Sequence, residues 1–193
     1  MKGWLKSQTS DKYLIPVRDQ MIQMLNPKDR VIDLGCGTGD FLIKAHSKIE
    51  FGLGVDGSKL LIKYAQDQAR NLNIKNLRFE HRMIDHHFKP NEHFTVATAC
   101  LFFHVIPRNN ALQVLQSMTS YADRIIICAF APPGNKKQRL LMWLDQRFAS
   151  HYRNYRAYCE NGYMEGIIKK CQLSIDEITD TFDPTLKIYT FRH

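Results

Sequence analysis

Apolar and polar positions along this chain switch between two periods. Short runs with apolar residues on both faces, R-V-I-D-L (30–34), F-G-L-G-V-D (51–56) and R-I-I-I-C-A-F (124–130), read as strands buried inside a parallel sheet. Stretches of helical period alternate with them: 13–25 with Pro16 near its start, then 40–49, 58–72 and 107–120. In the third of these, Ser58 stands at the N-cap and Leu61, Tyr64, Ala65, Ala69 and Leu72 recur at helical spacing. N-L-R-F-E-H-R-M-I-D (76–85) predicts a third strand ending near Asp85, and H-F-T-V-A-T-A-C-L-F-F (93–103) a fourth. A mostly helical segment covers 136–170. Two last strands, 173–179 and 185–191, are separated by D-T-F-D-P, too short for a crossover helix, so they should pair antiparallel.

Strand and helix in alternation imply an α/β fold: a doubly wound, seven-stranded mixed sheet, parallel except for a C-terminal antiparallel hairpin, with helices on both faces. No repeat, low-complexity tract or linker divides the chain, so residues 1–193 are expected to form a single domain.

Composition narrows the class. Hydrophobic residues make up 44% and charged residues 24%, a soluble globular balance. No run approaches the roughly 18 apolar residues of a membrane span, and M-K-G-W-L-K-S-Q-T-S is too polar for a secretory signal, so no membrane partner is expected. Five scattered cysteines without a C-x-x-C pair point to a reducing cytoplasm rather than to disulfides or zinc. The net charge is +8, and eight Lys/Arg against three acids put +5 of it in 136–170, interleaved with Trp143, Phe148, Tyr152, Tyr155, Tyr158 and Tyr163. That mixture suits nucleic acid, or a solvated helix with one packed face, and the second reading is favoured.

The candidate chemistry sits in D-L-G-C-G-T-G (33–39), between a predicted strand and a predicted helix. In doubly wound sheets ligands bind at the carboxyl ends of the strands. The glycines are spaced G-x-G-x-G, which is neither the dinucleotide fingerprint G-x-G-x-x-G nor a phosphate loop, so a nucleoside without phosphates fits better. A bare backbone lets such a group approach, and Asp33 can meet an ammonium. Asp56 ends the next strand, placed to accept from ribose hydroxyls, and Asp85 is expected to end the third, placed for an adenine amino group.

V-I-D-L-G-C-G-T-G, G-V-D-G-S and M-I-D together resemble the class I S-adenosylmethionine-dependent methyltransferases, over essentially the whole chain. The resemblance implies a Rossmann-like fold and S-adenosyl-L-methionine as cofactor. It places Gly35, Cys36, Gly37 and Gly39 at the methionine portion, Asp56 and Gly57 at the ribose, and Met83, Ile84 and Asp85 around the adenine. Cys100 and Leu101 would contact the cofactor through their backbone. The segment D-K-Y-L-x-P-x-R with H-Y-R-N-Y further resembles a subgroup of small bacterial methyltransferases sharing an HYRN-(F/Y) segment. By that likeness Tyr13 and Arg18 close over the amino-acid end, residues 1–27 form an N-terminal cap, and 131–170 form a lid on the acceptor side.

The acceptor is less legible. The Asn/Asp-Pro-Pro-aromatic signature of amino-methylating nucleic-acid enzymes is absent after the fourth strand, where the text is A-C-L-F-F-H-V-I-P, and so is the Pro-Cys of cytosine-C5 enzymes. His104 either contacts cofactor or acceptor or anchors its loop. On a helix His151, Asn154, Tyr155 and Tyr158 share one face. His104, His151 and Tyr155 are the candidates for orienting an acceptor or removing its proton, with core packing the alternative for the tyrosines. His81, His86, His87 and His93 show no metal-ligand spacing, and no metal is expected. The reading is a methyltransferase acting on a small-molecule acceptor; an RNA methyltransferase and a non-catalytic cofactor-fold module are the alternatives, and oligomeric state is left open.

Overall fold

The computed structural model describes residues 10–192. In R-V-I-D-L, forming β1 (Arg30–Leu34), Ile32 and Leu34 face one side and Val31 the other, because successive strand side chains alternate faces. β2 (Phe51–Asp56), β3 (Leu77–His81), β4 (Phe94–Cys100) and β5 (Ala122–Phe130) join it in parallel, and β6 (Glu177–Asp180) and β7 (Leu186–Arg192) close the sheet antiparallel. The strand order is β3-β2-β1-β4-β5-β7-β6. The order reverses between β1 and β4, which opens a crevice at their carboxyl ends.

Helices cover both faces. Val31 packs with Val17 and Met21 of α2 (Ile15–Gln23), which follows α1 (Ser10–Tyr13), with Phe41 and Leu42 of α3 (Asp40–Ala45), and with Ile62 and Ala65 of α4 (Lys59–Asn71). Ile32 and Leu34 pack with Val114, Leu115 and Met118 of α5 (Arg108–Tyr121), and with helices of the 136–170 segment. That segment is three helices: α6 (Lys136–Arg147), α7 (Tyr152–Glu160) and α8 (Tyr163–Lys170). Ser58 caps α4 as expected, its Oγ accepting from the Leu61 N–H at 3.5 Å. The inward face of α4 is Ile62, Ala65 and Ala69, however, and Leu72 is exposed.

One expectation is corrected. The third strand stops at His81, not near Asp85. Among the described residues β3 is an edge strand whose only partner is β2, and His81 is already paired with the last residue of β2, Asp56; beyond it no ladder remains to extend the strand. Asp85 therefore lies in a loop, where its Oδ1 accepts from the His87 N–H at 2.9 Å. Two acids, not three, stand at or beside strand tips. No helix among the described residues is long and apolar enough to cross a membrane.

Candidate functional site

The loop after β1 turns through Gly35, Gly37 and Gly39, whose φ values of 72°, 57° and 77° lie in the left-handed region, where a side chain is costly. A Cβ on Gly35 would stand 2.6 Å from Phe102 Cδ2, and one on Gly39 2.7 Å from Phe79 Cε1. At these two positions the glycine is required by the protein's own packing as well as by the backbone turn. Gly35 and Cys36 both donate to the Val55 carbonyl, at 2.8 and 3.1 Å, which lays the loop across the tip of β2.

Asp56 at that tip holds the loop. Its Oδ2 accepts from the Gly37 N–H at 3.0 Å and its Oδ1 from the Ser58 N–H at 2.7 Å. Two backbone bonds fix the carboxylate while each oxygen keeps acceptor capacity. Next to it Gly57 meets the Met83 thioether, whose sulfur would be 2.9 Å from an added Cβ, and Met83 is 66% exposed. Ile84 is buried behind it. Asp33 is buried beside its register partner Thr98, whose Oγ1 donates to Asp33 Oδ1 at 2.8 Å. Thr98, one of two threonines in the mostly apolar strand β4, was the one sequence signal for this partner.

Arg18 of α2 is buried, and its Nη1 pairs with Asp40 Oδ2 at 2.9 Å, directly after the glycine loop. Cys100, at the tip of β4, and Cys128 of β5 are register partners. A hydrogen bond from Cys128 holds the Cys100 thiol below its ordinary range, with the Arg18 charge adding to the effect. Leu101 follows with φ 53°, a strained conformation for a branched side chain, and its N–H donates to the Cys128 carbonyl at 2.9 Å. Tyr13 stands farther out, 53% exposed. Its hydroxyl donates to Asp183 Oδ2 at 2.7 Å in the β6–β7 turn, and burial with that bond pushes its pKa up to about 12.

The three acceptor-side candidates meet in one aromatic cluster past the tip of β4. The His104 ring lies 5.3 Å from His151, 6.2 Å from Tyr155, 6.3 Å from Tyr158 and 4.9 Å from Phe130. The shared face read from the sequence is real: Asn154 Nδ2 donates to the Val105 carbonyl at 2.6 Å, and the Tyr158 hydroxyl to the Phe130 carbonyl at 2.7 Å. Burial, with a smaller contribution from His151, lowers the pKa of His104 to about 3, so its imidazole is neutral near pH 7. His151 is lowered too, by partial burial, with Asp145 opposing.

Gln146, which sequence reasoning missed, connects this cluster to α6. Its Oε1 lies 3.2 Å from His151 Nε2, and its Nε2 donates to Asp145 Oδ2 at 2.6 Å. Because the amide nitrogen is committed to Asp145, the amide oxygen must accept, which assigns the proton to His151 Nε2 and leaves Nδ1 with a lone pair. Tyr155 is buried and its phenol is held protonated, first by burial, with its hydroxyl engaged by Cys159. Among the described residues no group of three or more His, Cys, Asp or Glu could hold a metal ion.

Known proteins share this architecture. The model of a family described as a methyltransferase domain matches residues 25–183. The carboxy-S-adenosyl-L-methionine synthase of a Nitratiruptor species is 29% identical over 161 residues, covering 79% of this chain and 66% of that protein. The chain spans less than two thirds of the length of the curated relatives it matches. A solved S-adenosylmethionine-dependent methyltransferase from Clostridium acetobutylicum ATCC 824 superposes with a TM-score of 0.70 at 14% identity, covering 97% of this chain and 96% of that one. Magnesium protoporphyrin IX methyltransferase from Synechocystis PCC 6803, solved with bound SAH, gives 0.63 at 20% identity, covering 97% and 83%. At such identities the two structures establish the shared fold.

Proposed function

From the premise that this chain belongs to the methyltransferase-domain family, whose model matches residues 25–183, we propose that it is an S-adenosylmethionine-dependent methyltransferase acting on a small-molecule acceptor. The observation that carries the acceptor side is the convergence of His151 and Tyr155 of the α7 segment on His104, past the tip of β4 in the loop whose Phe102 packs on Gly35. A largely buried aromatic cluster suits a small group better than an RNA strand, which the +8 charge otherwise keeps as the runner-up.

The residues fit the cofactor. The left-handed glycine loop presents backbone rather than side chains, Asp56 offers an oriented acceptor pair for two ribose hydroxyls, and Met83 and Ile84, with Asp85 in the following loop, offer an apolar wall and a carboxylate for the adenine. Asp33 and Arg18 carry charges suited to an amino-acid end, Tyr13 lies at the rim, and Cys100 with Leu101 borders the cleft. S-adenosylmethionine supplies an electrophilic methyl group, so the protein's work is positioning and exclusion of water. His104 and the Tyr155 ring shape the acceptor pocket. His151 Nδ1, left with its lone pair by the Gln146 bond at Nε2 and kept unprotonated by partial burial, takes the proton of an acceptor that carries one. Residues 1–9 of the expected 1–27 cap lie outside the described residues; the described part, 10–27, serves as a cap and 131–170 as a lid in this reading. The narrower kinship with small bacterial enzymes sharing the HYRN-(F/Y) segment belongs to it as well, because that segment delivers His151 and Tyr155.

Titration with S-adenosylhomocysteine tests the cofactor half. Asp56→Ala is expected to weaken binding by about 1–3 kcal/mol, the cost of polar groups left unpaired; no binding by the wild type at millimolar ligand, or equal affinity in the variant, refutes the assignment. For the acceptor half, His151→Ala is expected to lower turnover about a hundredfold at unchanged S-adenosylhomocysteine affinity. Tyr155→Phe, which keeps the ring, is expected to retain turnover within about twofold because burial holds its phenol protonated and the ring is what shapes the site. Equal rates for His151→Ala and wild type would remove His151 from the chemistry.

A further inference from the structure

Helix α6 carries an apolar face that the site does not use. At about 100° per residue, Leu140, Leu144, Phe148 and Leu141 fall in one arc, and they are 55%, 46%, 85% and 54% exposed. The opposite arc holds Met142 and Gln146, both buried, and it is Gln146 that reaches His151. The exposed stripe therefore points away from the acceptor pocket and does not line it. Lys136 and Arg147 flank the stripe on one side, Lys137 stands at its N-terminal end, Asp145, the single acid of the helix, borders the other side, and Arg139 lies on the opposite arc beside Gln146. The Arg147 guanidinium sits 4.5 Å from the Trp143 ring centroid and 5.6 Å from that of Phe148, which places positive charge at the edge of the apolar strip.

We propose that this face of α6 docks on an anionic phospholipid surface. Leucines and a phenylalanine on one arc, with lysine and arginine along one border and at its N-terminal end, are the composition of a helix that lies in the interface plane, apolar side in the acyl boundary and basic heads among the phosphates. A contiguous exposed apolar stripe on a single protein marks an interaction site. Charge selects the occupant. A second copy meeting the stripe face to face would bring two sets of three basic residues together, Lys136, Lys137 and Arg147 of each, whereas an anionic leaflet neutralises them. The lack of a spanning segment does not bear on this, since docking uses one face of a helix 12 residues long.

The test is cosedimentation of the full chain with vesicles, equimolar phosphatidylglycerol and phosphatidylcholine against phosphatidylcholine alone, at low salt. Binding is expected to the first only. Lys136→Glu with Lys137→Glu, and separately Leu144→Ser with Phe148→Ser, are each expected to weaken it about tenfold or more. Leu72→Ser on α4, a residue 59% exposed, is expected to leave it unchanged. All these positions are exposed, and unchanged melting temperatures will confirm that the variants fold. The proposal is overturned if phosphatidylglycerol vesicles do not pull the chain down at millimolar lipid, if the stripe variants bind as the wild type does, or if sedimentation equilibrium shows that the stripe variants convert a dimer to monomers.

Discussion

Stability is expected to fall steeply as the pH drops below about 6.5, and His104→Phe is expected to remove most of that loss. His104 is 5% exposed, packed among Phe130, His151, Tyr155 and Tyr158, and its pKa is lowered from 6.5 to about 3. Between those two values the unfolded chain binds a proton that the folded one does not, so the unfolded state gains as pH falls. The slope approaches about 1.4 kcal/mol per pH unit, which makes about 2 kcal/mol between pH 6.5 and 5 and several by pH 3. His151, also lowered by partial burial, acts in the same direction. Phe keeps the ring contacts and cannot take a proton. Urea unfolding at pH 7.5 and 5.0 checks this; parallel losses in wild type and His104→Phe would mean that the imidazole is not the acid-labile group.

Gly39→Ala is expected to cost about 2–5 kcal/mol, a large share of the 5–15 kcal/mol that holds an ordinary domain. The left-handed backbone at φ 77° accounts for about 1–2 kcal/mol. The rest is overpacking, about 1–3 kcal/mol: the new methyl would lie 2.7 Å from Phe79 Cε1 of β3 and 2.9 Å from Ala65 Cβ of α4, both in the buried layer between that helix and the sheet. Gly57→Ala is the matched control. Its φ is not positive, and the only side chain it meets is the exposed, flexible Met83, so less than about 1 kcal/mol is expected. Thermal unfolding separates them: a drop of about 5–20 °C for Gly39→Ala against a few degrees for Gly57→Ala. Equal melting temperatures for Gly39→Ala and wild type would contradict the packing argument.

Those glycines show how a motif can be read correctly for an incomplete reason. Their spacing announced a bare turn at the tip of β1, and the turn is there. The sequence reasoning assigned the bareness to the approach of a ligand, whereas at Gly35 and Gly39 the space of a Cβ is filled by Phe102 and Phe79, residues 67 and 40 positions downstream. Asp56 was legible because it ends an apolar run of six. Its grip on the Gly37 amide was not, since that bond exists only once β1 and β2 are in register. Asp85 was misplaced because period alone does not reveal that β3 has a single neighbour. The Asp145–Gln146–His151 connection had no sequence signal at all.

Periodicity and turn chemistry in the sequence alone determined the α/β alternation, the closing hairpin, the glycine turn and the acid at the tip of β2. These depend on neighbours a few residues apart, and local sterics decide them whatever the rest of the chain does. Only the tertiary structure decided where β3 stops, which rings make the glycines obligatory, which nitrogen of His151 carries the proton, and that α6 turns its leucines outward. Each of these is set by groups far apart in sequence, brought together when the two faces of the sheet are covered.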